Sequence, residues 1–548
     1  TFHSAYDYHP RWSPDGRSFA FLSSRKNGVQ AWHMAVDGGE AEQLTDLSTG
    51  VSQLTWHPSG KHLPVASQVF PAHGADDAAN KAALEARKDN PLKAHVADDL
   101  FYRHWTSWRD GRRWHVLLLS LEDKRWHDLT PGDFDSPALH ASPGFAFSPD
   151  GRELCFVSNR QLDKSSRAYS TNKDLWVRPV TGGSALNLTA QNQGADSHPV
   201  YSPDGKSIAF LRQATAGYES AARQLALYDR KSGKVKVLTG GFDNWVLDFA
   251  WARDSRSLVF RGAEKGRFPL YRVDVASGKV TRLTRSSRDF SLGPKGELAF
   301  TYSAVDSPLE LFVAHAPKAV ASLAARRLTH FNASVKERVD LRPVEELWIP
   351  GADGKKVHTF VVKPHGFRKG KRYPLIINVH GGPQYQWADS FRGDWQVYPG
   401  AGYIVAYLNP HGSIGYGQAY TAAISKDYGG KVFVDIAKVR AALGALPYVD
   451  NKRIGAMGWS WGGYAMAWLA GHETSYDQTK GYKALAAMMP VYDLRSFYGA
   501  TEELWFPEWD VGGPPWSNPA AYEKHSPSVY AGKFKTPTLV LTGERDYR

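Results

Sequence analysis

Gly458-Trp459-Ser460-Trp461-Gly462 follows the apolar run Arg453-Ile454-Gly455-Ala456-Met457 and precedes Tyr464-Ala465-Met466-Ala467-Trp468-Leu469-Ala470. Strand, Gly-x-Ser-x-Gly, helix is the order of a nucleophile elbow, a bend so tight that the flanking positions tolerate no Cβ. Such a bend pushes the serine hydroxyl out at the mouth of a sheet, with a helix N-terminus behind it that favours negative charge. Glycine is 50 of 548 residues. At that frequency a serine is flanked this way by accident about once in 120 cases, so the pentapeptide needs company before it means more than a turn.

The first company is the surrounding grammar. From about residue 340 the chain alternates apolar runs with amphipathic segments, which predicts strands at Val357–Val362, Leu375–Val379, Tyr403–Leu408, Arg453–Met457, Leu485–Met489 and Thr538–Leu541. Between them Val432, Ile436, Val439, Leu443 and Leu446 recur at three- and four-residue steps, the stripe of a helix packed on a sheet. This alternation implies a doubly wound α/β layer of the α/β-hydrolase type over 340–548.

Residues 1–335 follow another grammar. An aromatic residue, a Ser-Pro-Asp-Gly type of turn, two apolar strands and a closing Leu-Thr recur in phase. The openings start at Trp12, Trp56, Phe147, Tyr201, Trp251 and Leu292, and the closings are Leu44-Thr45, Leu129-Thr130, Leu188-Thr189, Leu238-Thr239, Leu283-Thr284 and Leu328-Thr329. Successive openings are 44, 91, 54, 50 and 41 residues apart, close to the 40–50 or so residues of a four-stranded blade apart from one long interval. The expectation is a β-propeller, six blades traceable and about seven in a full protein. The long interval carries an insertion at about 70–113 with a helix-like Ala75–Glu85 segment, either an arm toward an active site or a decorated loop.

Bulk numbers narrow the class. A chain of 60.8 kDa with 42% hydrophobic residues can build two substantial cores. Cys155 is the one cysteine, which excludes an intrachain disulfide framework and a multi-thiolate zinc site, and Glu153-Leu154-Cys155-Phe156-Val157 reads as a buried strand thiol. The net charge of +12 comes from 67 basic residues dispersed among 55 acidic ones, a solvated cationic surface rather than a nucleic-acid patch. No apolar stretch approaches the length of a membrane span, and Thr1-Phe2-His3-Ser4 resembles no signal core.

Acyl transfer by a serine needs oxyanion donors, a base, and a carboxylate that orients the base. His380-Gly381-Gly382-Pro383 follows the strand Leu375–Val379, where an α/β-hydrolase places one oxyanion amide (Gly382), and Trp461 supplies the second as the residue after Ser460. Asp546, in Gly543-Glu544-Arg545-Asp546 beyond Thr538–Leu541, fits the order Ser then Asp; Asp493 and Asp510 fit it less well. The base must come later still, and only Tyr547 and Arg548 follow. His380, His411, His472 and His525 all precede Asp546 and read as capping, packing or loop residues. The expectation is a chain cut before its triad histidine, which lies beyond Arg548; the opening, almost inside a blade, extends the same expectation to the N-terminus. Side chains and backbone complete this chemistry, so no metal or organic cofactor is called for.

Propeller followed by hydrolase, with these motifs, resembles the prolyl oligopeptidase family of serine peptidases over essentially the whole chain. Asn409-Pro410-His411-Gly412-Ser413-Ile414-Gly415-Tyr416-Gly417, Thr501–Trp509 and Leu100–Trp105 are similar to the acylaminoacyl-peptidase branch. The resemblance implies Ser460 as nucleophile, Asp546 as triad acid, Arg548 as the holder of a substrate carbonyl, and Trp461, Val491, Leu494 and Phe497 as the P1 pocket. Leu494, where proline-specific relatives carry a larger aromatic, argues for alanine or apolar P1 residues. His411 stands where arginine is common. The paired glutamates that grip a substrate amine in proline-specific relatives have no clear counterpart in the propeller; Glu502, Glu503, Glu508, Asp98 and Asp99 are the candidates. The implied activity is release of N-terminal dipeptides through an acyl-enzyme. An acylaminoacyl-peptidase or oligopeptidase on the same scaffold is the alternative, and a non-catalytic propeller platform is the reading from a different class. Peptides are the implied partners, without nucleic acid or a membrane span, and a homo-oligomer stays open. The resemblance points to a periplasmic or secreted location, with a cytoplasmic one as the alternative.

Overall fold

The computed structural model describes residues 3–98, 100–139, 141–160, 163–315, 325–472, 475–476 and 481–548. The chain divides into two compact units, one of Thr1–Ala216 with Leu225–Leu238, the other of Gly217–Gln224 with Thr239–Arg548. Six four-stranded antiparallel sheets follow one another as the blades of a β-propeller, four in the first unit and two in the second.

Both ends of the sequence repeat have a structural cause. In the opening turn the Ser13 hydroxyl donates to Asp15 (2.6 Å) and the Arg17 N–H to the same carboxylate (3.1 Å). Ser148 with Asp150 (2.6 Å) and Ser202 with Asp204 (2.7 Å) repeat the pair. These serine hydroxyls hold all three carboxyls below the usual range. At the closure the threonine hydroxyl accepts an N–H of the third strand: Thr45 from Ala31 (2.8 Å), Thr130 from Val116 (2.9 Å), Thr189 from Leu175 (3.0 Å), Thr284 from Leu270 (2.9 Å) and Thr329 from Leu311 (2.9 Å). The short fourth strand runs out there, and the hydroxyl satisfies a ladder donor that would otherwise be buried unpaired.

In the first unit, the second blade pairs His62–Val69 with Arg113–Ser120. Between these strands lie helix α1 (Asp77–Asp89), capped by Asp76 accepting from Ala79 N–H (3.0 Å), and a hairpin of Arg103–His104 with Ser107–Trp108. Asp99 lies outside the described residues. Cys155 is fully buried in the strand Glu153–Ser158, and burial pushes its thiol far up.

The second unit adds a seven-stranded sheet, introduced in chain order as β1 (Val344–Pro350), β2 (Lys356–Val362), β3 (Tyr373–Val379), β4 (Ile404–Asn409), β5 (Val449–Trp459), β6 (Ala484–Met488) and β7 (Thr538–Leu541). Its spatial order is β1-β2-β4-β3-β5-β6-β7; β1, β2 and β4 pair antiparallel and the rest run parallel. β1 has no counterpart among the sequence-predicted strands, because its half-exposed Val-Glu-Glu-Leu-Trp pattern shows no apolar run. Helix α2 (Lys431–Gly444) buries Val432, Ile436, Val439 and Leu443 on the sheet, each worth about 1.5–3 kcal/mol of apolar burial. Leu446 lies past the end of α2 and still packs against this core. Among the described residues no helix is long and apolar enough to cross a membrane.

Candidate active site

Strand order reverses at β3, which pairs with β4 on one side and β5 on the other, so a crevice opens at the carboxyl ends of β3 and β5. Val379 at the end of β3 lies opposite Gly458 of β5, which brings the segment from His380 beside the elbow. Ser460 follows β5 with φ +59° and ψ −120°, a left-handed conformation costly for a residue with a Cβ, and it heads helix α3 (Trp461–Gly471). Its N–H donates to Met488 O (2.9 Å) and its carbonyl accepts Tyr464 N–H (3.0 Å), while the side chain is exposed. The glycines on either side are required by backbone contact. A Cβ on Gly458 would stand 2.3 Å from Gly462 O, and one on Gly462 would stand 2.3 Å from Val379 O.

The His380–Pro383 loop packs directly on this bend. A Cβ on Gly381 would be 2.7 Å from Trp459 O and 3.2 Å from Ser460 Cβ. Gly382 has φ +123°, and its N–H has no acceptor among the described residues. The Trp461 N–H, in the first turn of α3, has no intrahelical acceptor. The loop that carries Gly382 packs on the bend at Ser460, and Trp461 begins the helix that follows it; an oxyanion requires two backbone donors of this kind.

Asp546 is exposed just past β7, its N–H donating to Gly543 O (3.0 Å). No histidine among the described residues hydrogen-bonds to Asp546 or to the Ser460 hydroxyl. The four histidines of this unit discounted from sequence are engaged elsewhere. His411 bonds Asp435 (2.6 Å), His472 donates to Trp468 O (2.9 Å), His380 is bound to Gly381 O and Ser413, and His525 packs against Trp468. Asp493 caps helix α4 (Leu494–Ala500), accepting from Arg495 and Ser496 N–H groups at 3.0 Å.

Trp461, Leu494 and Phe497 are buried, and Val491 packs on the core that contains Trp461. Two residues missed by the sequence reading join them. The Phe506 ring stands edge-on to Phe497 (5.9 Å, 85°) and meets Tyr428 (6.4 Å), which meets Trp461 (6.3 Å). No motif marks Tyr428, and Phe506 lies in the Thr501–Trp509 motif without any spacing that assigns it to the pocket; each comes from a segment distant in sequence from the elbow.

An acidic cluster lies in the same unit. The Arg548 guanidinium binds Glu502 (2.7 Å) and Glu503 (2.9 Å). Trp505 Nε1 donates to Glu219 (2.6 Å), a residue of the Gly217–Gln224 segment that the sequence reading passed over when it found no propeller counterpart for a glutamate grip. Burial, with Glu219 and Glu502 nearby, raises the Glu503 carboxyl to about 7 against the pull of Arg548. Glu508 instead accepts from the Tyr498 hydroxyl (2.7 Å).

Residues 389–548 match the model of the prolyl oligopeptidase family. Dipeptidyl-peptidase 5 of Porphyromonas gingivalis is 31% identical, over 99% of this chain and 79% of its own. The chain belongs to the prolyl oligopeptidase family of serine peptidases. Dipeptidyl-peptidase 5 of Schizosaccharomyces pombe is also 31% identical, over 84% of this chain and 68% of its own. Among solved structures, an acylaminoacyl peptidase of Pyrococcus horikoshii matches the fold with a TM-score of 0.81 at 20% identity, covering 99% of this chain and 79% of that one.

One buried acid of this serine peptidase lends itself to a direct test. Asp510, at the π-helical turn Glu508–Gly512, accepts from Ser425 Oγ (2.6 Å), with Gln384 Nε2 and Tyr428 OH each at 3.4 Å. Burial raises its carboxyl to about 7. A carboxyl raised in the folded state contributes most below the ordinary carboxylate range and loses that contribution as pH climbs toward 7, each tenfold change in proton affinity being worth about 1.4 kcal/mol. Asp510→Asn is therefore expected to lose less stability than the parent between pH 4 and pH 8. Thermal unfolding across that window checks it, and equal slopes for parent and variant would contradict the buried-acid reading.

Proposed function

We propose that this serine peptidase releases dipeptides with alanine or an apolar residue at P1 from the free amino ends of peptides. The observation that carries the reading is the acidic cluster: Glu502 and Glu503 bind Arg548, and Glu219, held by Trp505 and with Arg223 near it, is close enough to help raise the Glu503 carboxyl. A carboxyl raised toward neutral pH by burial and like-charged neighbours gains from a further cation, and a substrate ammonium supplies one. The names of the two dipeptidyl-peptidase relatives support the same reading.

In this reading the Ser460 hydroxyl oxygen attacks the scissile carbonyl carbon as its proton passes to an imidazole oriented by Asp546. Among the described residues no imidazole is hydrogen-bonded to the Ser460 hydroxyl or to Asp546. The oxyanion is held by the N–H groups of Gly382 and Trp461. Collapse expels the amine, which takes the proton, and water then releases the dipeptide from the acyl-enzyme. In the same reading Arg548, bound by Glu502 and Glu503, holds a substrate carbonyl. Trp461, Val491, Leu494, Phe497 and Phe506 present an apolar wall to P1.

The test compares a dipeptidyl reporter having a free amine with its N-acetylated form on the full-length protein. Preference for the free amine is expected, and Glu503→Gln should lower kcat/KM for that reporter by about 10²-fold or more, since a buried charge loses its partner. Preference for the acetylated reporter would overturn the reading in favour of an acylaminoacyl-peptidase.

A further inference from the structure

We propose that His380 is a positioning residue for the oxyanion site, its ring holding the Gly381 carbonyl so that the Gly382 N–H is turned toward Ser460. This rests on the reading of Gly382 as an oxyanion donor. His380 Nδ1 lies 2.8 Å from Gly381 O, and Nε2 lies 2.9 Å from Ser413 Oγ. A carbonyl oxygen only accepts, so Nδ1 carries the proton, and the Ser413 hydroxyl divides its one hydrogen between Nε2 and Pro410 O. Burial agrees with a neutral ring, lowering His380 to about 4.

The geometry follows from the peptide plane. The Gly381–Gly382 peptide is trans, so the Gly381 C=O and the Gly382 N–H point in opposite directions. Anchoring the oxygen on the imidazole aims the hydrogen the other way. Neither glycine has a side chain to fix that plane, and both are freer to rotate than any other residue. The imidazole itself has little freedom. It is 2% exposed, stands edge-on to Tyr385 (5.8 Å, 71°) and Trp387 (6.2 Å, 82°), and meets a fully buried Ser413 whose hydroxyl also lies 2.7 Å from Pro410 O. The Asn409–Gly417 loop is thereby tied to the oxyanion loop through one ring, and His411 bound to Asp435 secures that loop from below.

The test uses His380→Asn, His380→Gln and His380→Leu in the full-length enzyme. Asparagine carries an N–H near the place of Nδ1, whereas leucine has none and glutamine extends its N–H past it. Expected are a fall in kcat of about 10²–10³-fold for Leu and Gln, the usual cost of one oxyanion donor, with KM and dipeptide product inhibition within about threefold of the parent, and substantial recovery with Asn. The infrared carbonyl band of the acyl-enzyme is the second readout. It should lie at a hydrogen-bonded frequency in the parent and move toward the unbonded one in the Leu variant. An unbonded band in the parent, or no acyl-enzyme at all, would defeat the oxyanion reading on which this proposal stands. A bonded band left unmoved, an Asn variant no better than Gln, or a loss confined to KM would overturn the role of His380 alone. If the Leu variant does not fold, the contrast of Asn with Gln decides.

Discussion

Ser460→Ala in the full-length protein is expected to lose peptidase turnover by about 10⁶-fold and to lose labelling by a fluorophosphonate probe, with stability almost unchanged. The stability half of this expectation comes from the backbone. Ser460 sits at φ +59° and ψ −120°, so alanine, which keeps the Cβ, keeps the strain. Ser460→Gly removes that Cβ and should raise stability by about 1 kcal/mol or more while losing activity just as completely. A site selected for chemistry stores strain that a structural turn would have shed. Activity assays and thermal unfolding on the two variants check both halves. Labelling that survives in Ser460→Ala would remove the serine from the nucleophile's role. A parent protein that is never labelled would instead favour the non-catalytic propeller platform.

What was legible in the sequence was whatever repeats or whatever needs glycine. The blade turns announced themselves because Ser13, Ser148 and Ser202 each bond an aspartate two residues on, and local chemistry of that kind leaves a local pattern. The closing threonines recur because a hydroxyl stands in for a ladder partner. Strands β3 and β4 read clearly because burial on both faces, complete along β4 and nearly so along β3, demands apolar runs. β1 did not, since Glu345, Glu346 and Trp348 face partly outward. The end of α2 was overshot because Leu446 keeps the stripe's spacing and packs on the core after the helix has stopped at Gly444. The site divides along the same line. Ser460 and Gly382 follow from motif and strand order. The link from Glu219 to Trp505 spans 286 residues, and neither the Tyr428–Phe506 contact nor the Asp510 network leaves any spacing signal. Contacts made only by folding have no sequence period to betray them.

Gly462→Ala should cost both stability and catalysis, and the two losses have one cause. The added Cβ would lie 2.3 Å from Val379 O and 3.2 Å from both the carbonyl carbon and oxygen of His380. These are backbone atoms at the end of the central strand β3, and no rotamer change can relieve them. Either α3 or the β3 terminus has to move by roughly 1 Å, at a cost of about 1–3 kcal/mol or more for forcing volume into packed structure. The same shift separates Ser460 from the His380–Pro383 loop, and a displacement of that size at a reacting centre is worth about 10²-fold in kcat. Gly499→Ala is the matched control. It lies in helix α4, is exposed, and has nothing within 4 Å of the added Cβ. There alanine should be neutral or stabilising by up to about 1 kcal/mol through helix propensity, with turnover unchanged. Unfolding midpoints and kcat measured on both variants separate the expectations. Were Gly462→Ala to match Gly499→Ala in both, the bend at Ser460 would not be held by backbone contact against β3, and the close seating of the oxyanion loop on the serine would lose its physical basis.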